Sequence, residues 1–183
     1  KYLAKTIAEA AKTRGQSPEE AIVDMVIEDD SRIQCIYFSM SEDNIRKKIQ
    51  LPWVSFCSDA GSYSDISKNF KTHPRAFGSF IRVLGKYSRD EGLISLAEAV
   101  RRLSGFPAKN LKLKSRGLLK EGYFADVVMF DANKVNDKAT FDEPLQFSTG
   151  VAHVVVNGTP VLLDSKHTNK FTGRYVKGPG YTE

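Results

Sequence analysis

Hydrophobic and polar positions in the first part of the chain follow a helical spacing between polar caps. Thr6 and Glu9 form a capping box, which opens a helix that ends at Gly15. Ser17-Pro18-Glu19-Glu20 opens a second helix that continues to about Asp29. Its apolar residues occupy more than one face, so we expect this helix to be well buried. They are Ile22, Val23, Met25, Val26 and Ile27.

Two short apolar runs interrupt the helical pattern. Residues 33–38 and 53–57 are rich in β-branched and aromatic side chains and predict strands. Between them, Ser41-Glu42-Asp43-Asn44 is expected to cap a helix that reaches about Ile49. The second run is apolar apart from Ser55. Such a run is typical of a parallel strand that is covered on both faces.

Two further helices follow a polar loop at residues 58–64. His73-Pro74-Arg75 begins the first of them. Ser95 and Glu98 form another capping box for the second helix, and Gly105 is expected to end it.

From about residue 118 the pattern changes to short strands. Residues 127–130 and 151–156 are apolar runs, and Asn157-Gly158 predicts a type I′ hairpin that leads to a strand at 161–163. We therefore expect an alternating α/β portion over residues 1–117 and a β-rich portion over residues 118–183.

Composition limits the class of protein. The chain has 183 residues, of which 41% are hydrophobic, as expected for a folded domain. Its net charge of +5 is scattered rather than clustered, so no nucleic-acid partner is predicted. No apolar run is long enough for a membrane span.

Cys35 and Cys57 lie in apolar segments that we expect to be buried, which favours a reducing, cytoplasmic location. Because the chain begins at Lys1, we expect a removed leader or a longer parent protein.

Asp59 is the strongest candidate for chemistry. It follows the predicted parallel strand 53–57, and functional groups of α/β folds lie at such strand ends. There a carboxylate can hold a metal, exchange a proton with metal-bound water, or simply cap a turn. Arg75, beyond the same loop, could grip a substrate carboxylate or remain a surface charge. Tyr37 could line the same pocket or finish a strand against the core.

The sequence motifs do not include a complete set of metal ligands. No two histidines share a helix face or an HxH spacing; they are His73, His153 and His167, the last expected in a loop. Cys57 lies two residues before Asp59 and is better explained as a small core residue. Ser62 and Ser64 suggest a nucleophile, but no GxSxG elbow surrounds them.

The order of several segments resembles the N-acyl-D-amino-acid deacylases (D-aminoacylases) of the amidohydrolase superfamily. The branch is indicated by residues 37–42, by Ser58-Asp59-Ala60-Gly61 and above all by residues 73–85, which begin His73-Pro74-Arg75-Ala76-Phe77-Gly78-Ser79-Phe80. The superfamily is indicated by a tail comprising residues 104–108, 116–119, 122–128 and 156–158. The resemblance covers nearly the whole chain.

The resemblance implies a fold and a set of roles. Residues 1–117 would be the C-terminal part of a metal-dependent TIM barrel with a helical insertion, and residues 118–183 part of a small β-sandwich. Asp59 would approach the zinc of the parent enzyme and carry a proton from the attacking hydroxide to the leaving amine. Arg75 and Tyr37 would bind the carboxylate of a small N-acyl amino acid substrate and line its pocket.

One departure from the family pattern matters. The HxH pair, the bridging ligand and the middle-strand histidines of the family are missing, and a barrel takes about 250 residues. We therefore expect this chain alone to bind no zinc, to be inactive, and to self-associate through exposed apolar surface. Two alternatives stay open: a cyclic-amide hydrolase such as a hydantoinase, and a non-catalytic binding or assembly module.

Overall fold

The computed structural model describes residues 2–30, 33–61 and 72–182. Its contacts divide the chain into two compact units, Lys1–Ser39 and Met40–Glu183. Helices and strands are both present, so the predicted mixed α/β class is confirmed.

The first unit contains two helices, α1 (Ile7–Arg14) and α2 (Pro18–Asp29). Both predicted N-termini are confirmed, since Thr6 and Ser17 each form a complete capping box. Gly15 adopts the left-handed conformation, with φ 69°, and ends α1 as predicted. Small side chains from the two helices form the core of this unit together with one methionine: Ala10, Ala11, Ala21 and Met25.

The predicted burial of α2 was wrong. Within this chain α2 buries only Ala21 and Met25, because the shorter α1 covers a single face of it. The remaining apolar side chains are exposed: Ile22, Val23, Val26 and Ile27. The strand predicted at 33–38 is also absent, and Phe38 is exposed. A strand requires hydrogen-bonding partners on a neighbouring strand, and residues 33–38 have no such neighbour in the part of the chain that the structure describes.

Three of the four α-helices of the second unit begin where the sequence predicts, and the fourth, α6, was not predicted. They are α3 (Glu42–Ile49), α4 (Arg75–Arg82), α5 (Leu96–Leu103) and α6 (Gly105–Asn110). The Ser41 and Ser95 hydroxyls cap α3 and α5. The carboxylate of Glu98 accepts a hydrogen bond from Arg101 instead of completing the capping box predicted with Ser95. Gly105 begins α6, although we expected it only to end α5.

A π-helix over Val83–Asp90 continues α4, which the sequence pattern did not predict. Gly85 brings this helix close to the following part of the chain. A Cβ atom at Gly85 would lie 2.7 Å from the carbonyl oxygen of Val135. Only glycine therefore fits at this contact.

The prediction of a buried parallel strand at residues 53–57 was wrong. These residues form no strand, and Trp53 is 71% exposed. Cys57 and Cys35 are exposed free thiols, so their predicted burial was wrong as well. A parallel strand needs paired neighbours, and none lies beside this run among the described residues.

The sheet of the second unit has the order β1-β2-β3-β4, and all pairs are antiparallel. Its strands are β1 (Val127–Phe130), β2 (Val151–Val156), β3 (Thr159–Leu163) and β4 (Lys166–His167). The predicted hairpin turn is confirmed, with φ 49° at Asn157 and 80° at Gly158. His167 lies in β4 rather than in the predicted loop.

The core of the second unit joins helices to the sheet. Val83, Leu84, Ala99 and Val135 are buried together, with Phe130 and Val151 packed against them. The core thus includes residues from both sides of position 117, and the predicted domain boundary there stays a prediction. In the described ranges, no helix combines the length and hydropathy that a membrane crossing requires.

Candidate functional site

Asp59 and Arg75 lie together in the second unit. Arg75 Nη2 is 2.9 Å from Asp59 Oδ2, and the two side chains are 45% and 79% exposed. Asp59 has a left-handed backbone, with φ 47°, a conformation that aspartate tolerates better than most residues. Two of the three predicted site residues therefore form an ion pair that solvent can reach.

The start of α4 holds the backbone of Arg75 in place. The Arg75 amide donates to Nδ1 of His73 over 3.0 Å, and the Ser79 hydroxyl donates to the Arg75 carbonyl over 2.8 Å. The His73 ring packs edge-on against Phe141, with 5.1 Å between ring centroids. Burial, with a smaller effect of the Arg75 charge, lowers the pKa of His73. The ring therefore stays neutral near pH 7 and keeps the Nδ1 lone pair that accepts the Arg75 amide.

Two consecutive arginines of α5 hold the segment that leads to Asp59. Arg102 donates to the carbonyls of Ile49 and Val54, the latter over 2.6 Å. Arg101 donates to the carbonyl of Pro52 over 3.0 Å. The Arg102 guanidinium also lies over the Phe56 ring, with its Cζ 4.5 Å from the centroid. Side chains thus supply donors that a neighbouring strand would otherwise provide.

Residue-pattern reasoning missed this arginine pair, although a signal was present. Ala99 and Arg102 are three residues apart and lie on the same face of α5, and Ala99 is fully buried. An arginine on an apolar helix face is unusual, because arginine is almost never fully buried unless its charge is paired.

Tyr37 lies in the first unit and is 82% exposed. A hydrogen bond with the Cys35 side chain raises the pKa of Tyr37 above its ordinary value. Its role in substrate binding stays a prediction.

The described residues do not supply a zinc site. Among them, no three His, Cys, Asp or Glu side chains lie close enough to share a metal ion. His153 Nδ1 accepts the Asp164 amide, and His167 Nδ1 accepts the Asn169 amide, so each of these rings supports a local turn. Ser62 and Ser64 lie outside the described residues. Asp59 could contribute at most one ligand to a metal that other residues hold.

Comparisons with known proteins match nearly the whole chain. The model of the "Amidohydrolase family" matches residues 4–162. A D-aminoacylase of Alcaligenes xylosoxydans xylosoxydans is 35% identical over 170 residues, which are 93% of this chain and 33% of that protein. An N-acyl-D-glutamate deacylase of the same organism is 43% identical over 127 residues, or 69% of this chain and 25% of that protein. The chain thus spans about a third or less of these relatives.

Solved structures agree with the sequence matches. The crystal structure of a D-aminoacylase superposes with a TM-score of 0.76 at 34% identity, covering 90% of this chain and 32% of that one. An N-acyl-D-glutamate deacylase from Bordetella bronchiseptica, complexed with zinc and a phosphonate inhibitor, gives 0.76 at 37% identity, covering 86% and 31%. The resemblance to the deacylases that the motifs indicated is confirmed.

Proposed function

Because this chain belongs to the amidohydrolase family, we propose that its parent protein hydrolyses the linear amide bond of N-acyl-D-amino acids. The observation that carries the proposal is the 2.9 Å contact between Asp59 and Arg75. It joins a solvent-accessible carboxylate, suited to proton transfer, with a guanidinium suited to a substrate carboxylate. Relatives named D-aminoacylase and N-acyl-D-glutamate deacylase support this class of substrate.

Asp59 would move the proton of the reaction. Its carboxylate accepts a proton from the attacking water as the new C–O bond forms, and it returns that proton to the amide nitrogen as the C–N bond breaks. The products are a carboxylic acid and a free D-amino acid. The exposed carboxylate leaves room for the water and the scissile amide beside it.

Arg75 would orient the substrate. Its planar guanidinium can bind a carboxylate through two parallel hydrogen bonds. In the structure the Asp59 carboxylate already contacts the Arg75 guanidinium. A substrate carboxylate would therefore compete with Asp59 for that guanidinium. Binding of the substrate would thereby release Asp59 toward the reacting water.

Zinc, when bound by ligands that lie mainly outside this chain, would polarise the carbonyl and activate water. The described residues do not form its site. The fold we propose for the parent is a TIM barrel with a helical insertion, to which residues 1–117 belong, followed by a β-sandwich that includes residues 118–183. The cytoplasmic location, the lack of nucleic-acid and membrane partners, and self-association stay predictions.

The test compares charged and blocked substrates in the full-length protein. Arg75→Ala should lower kcat/KM about 10- to 100-fold for an N-acyl-D-amino acid, because a charge-assisted hydrogen bond is lost. The same variant should hardly affect the corresponding C-terminal amide, which has no carboxylate to bind. Arg89→Ala, in the π-helix, serves as the control.

Three results would contradict the proposal. Equal losses on both substrates would show that Arg75 does not bind the substrate carboxylate. Efficient hydrolysis of a hydantoin that is insensitive to Arg75→Ala would favour the cyclic-amide alternative. A full-length protein without hydrolytic activity on either class would favour the binding module.

A further inference from the structure

We propose that Arg102 is the positioning residue for Asp59, fixing the segment that carries this carboxylate to the buried helix α5. The inference rests on the proposed function, since it assigns a role in the same reaction. Arg102 is 0% exposed, and it is the largest fully buried side chain among the described residues.

The contacts of Arg102 bracket the segment before Asp59. Its guanidinium donates to the carbonyl of Ile49, where α3 ends, and to that of Val54, five residues before Asp59. Its planar face covers the ring of Phe56, three residues before Asp59. One side chain thus fixes both the backbone and a side chain of residues 49–56, which form no strand in this structure.

The chemistry of the site requires arginine rather than lysine. A lysine ammonium is a single point charge, whereas the guanidinium fork donates in two directions and stacks on a ring. Burial lowers the pKa of Arg102, while Glu98, with 4.0 Å between charged atoms, partly offsets that effect. Nη2 is buried and has no hydrogen-bond partner among the described residues. Desolvation of this incompletely paired charge offsets part of the stability that its two hydrogen bonds contribute, so we infer that its main role is positional.

The anchor is stiff because α5 belongs to the core. Ala99, one turn before Arg102, packs with Val83, Leu84 and Val135. Loss of the guanidinium would free residues 53–58 from that core. A displacement of about 1 Å at a catalytic group can lower a rate on the order of 10²-fold.

The first test measures hydrogen exchange in the present chain. Arg102→Met and Arg102→Lys should both accelerate exchange at the amides of residues 53–61, with α1 and α2 unchanged. Arg89→Met is the matched control, because Arg89 also donates to a backbone carbonyl, that of Val135 over 2.6 Å, in a different segment. Unchanged exchange at 53–61 in both Arg102 variants would overturn the proposal.

The second test is a double-mutant cycle in the full-length protein with an N-acyl-D-amino acid. Arg102→Met should lower kcat on the order of 10²-fold and leave KM within about twofold, because substrate binding by Arg75 persists. In an Asp59→Asn background the same change should have no further effect on the residual kcat. If Arg102→Met fails to fold, Arg102→Lys enters the same cycle.

The outcomes separate the two proposals. An equal loss of kcat in both backgrounds would show that Arg102 acts on the amount of folded enzyme and not through Asp59, and would overturn this inference. If Asp59→Asn abolishes kcat while Arg102→Met keeps the wild-type kcat, the proposed role of Arg102 is contradicted. The proposed role of Asp59 then stands. Wild-type kcat in Asp59→Asn would remove the proposed role of Asp59 itself.

Discussion

Two apolar segments of the second unit satisfy their backbone groups in different ways. β2, over Val151–Val156, pairs with β1 on one side and with β3 on the other. Residues 53–57 have a similar apolar composition, yet their segment is held by arginine side chains from α5. The partners of β2 lie nearby in the chain, one of them joined to it by a two-residue turn. An apolar run thus becomes a strand only where neighbours are available.

The largest expected loss of stability comes from a substitution next to β2, the segment that lies in the sheet. Gly150, just before β2, has φ 86°, and a Cβ atom there would lie 2.5 Å from the Cα and N atoms of Val135. Gly150→Ala should lower the free energy of unfolding by about 3 kcal/mol or more, through overpacking and backbone strain together. Urea denaturation followed by circular dichroism would measure the loss.

Gly122→Ala is the control for Gly150, because Gly122 has φ 78° but no atoms within 4 Å of the added Cβ. It should show only the strain, about 1 kcal/mol. Equal losses in the two variants would contradict the predicted clash with Val135.

The next effect concerns the segment held by arginine. Arg102→Met removes the donors to the carbonyls of Ile49 and Val54, which should lower the free energy of unfolding by about 1–3 kcal/mol. Arg101→Met should change it by less than about 0.5 kcal/mol, because Arg101 is a surface residue. Chemical denaturation of both variants checks the difference, and a larger loss for Arg101→Met would reverse our assignment of the main anchor.

A smaller effect is expected at the turn between β2 and β3. Gly158 has φ 80° with open space around it, so Gly158→Ala introduces strain without a clash and should destabilise the sheet by about 1 kcal/mol. The thermal midpoint should fall accordingly, while residues 53–57 keep their wild-type hydrogen exchange. Faster exchange there would show that the two segments are not independent.

The smallest effect is a pH dependence at α3, the helix that precedes residues 53–57. Burial raises the pKa of Glu42, but hydrogen bonds from Lys86 and Tyr87 outweigh it and hold the pKa below its usual 4.5. The stabilisation is therefore present above pH 4.5 and is lost as the pH falls through the lower folded value. Glu42→Gln should be less stable than wild type at pH 7, with the difference shrinking in acid. A constant difference across that range would contradict this account.

The features that the sequence predicted correctly are local ones. The caps at Thr6, Ser17 and Ser41, and the Asn157-Gly158 turn, depend on side chains within a few residues of one another. The placement of Asp59 and Arg75 near one loop was also accessible, because both flank residues 60–74 and were expected at the same strand end. The sequence does not predict their direct ion pair, because the expected partner of Asp59 is metal-bound water and that of Arg75 is a substrate carboxylate.

The features that the sequence did not predict depend on distant contacts. Burial of α2 and pairing of residues 53–57 require covering elements that the described residues do not provide. The π-helix and the buried Arg102 depend on packing against residues 40 or more positions away, such as Val135 and Val54. Local patterns carry no information about such contacts.

The core formed by Val83, Leu84, Ala99 and Val135 has a consequence for synthesis on the ribosome. Val135 is the last of these four residues to leave the ribosome. The π-helix and α5 therefore cannot complete their packing until Val135 has been synthesised. Nascent chains that stop short of this residue should remain sensitive to proteases at the π-helix, whereas chains that extend through β2 should become resistant.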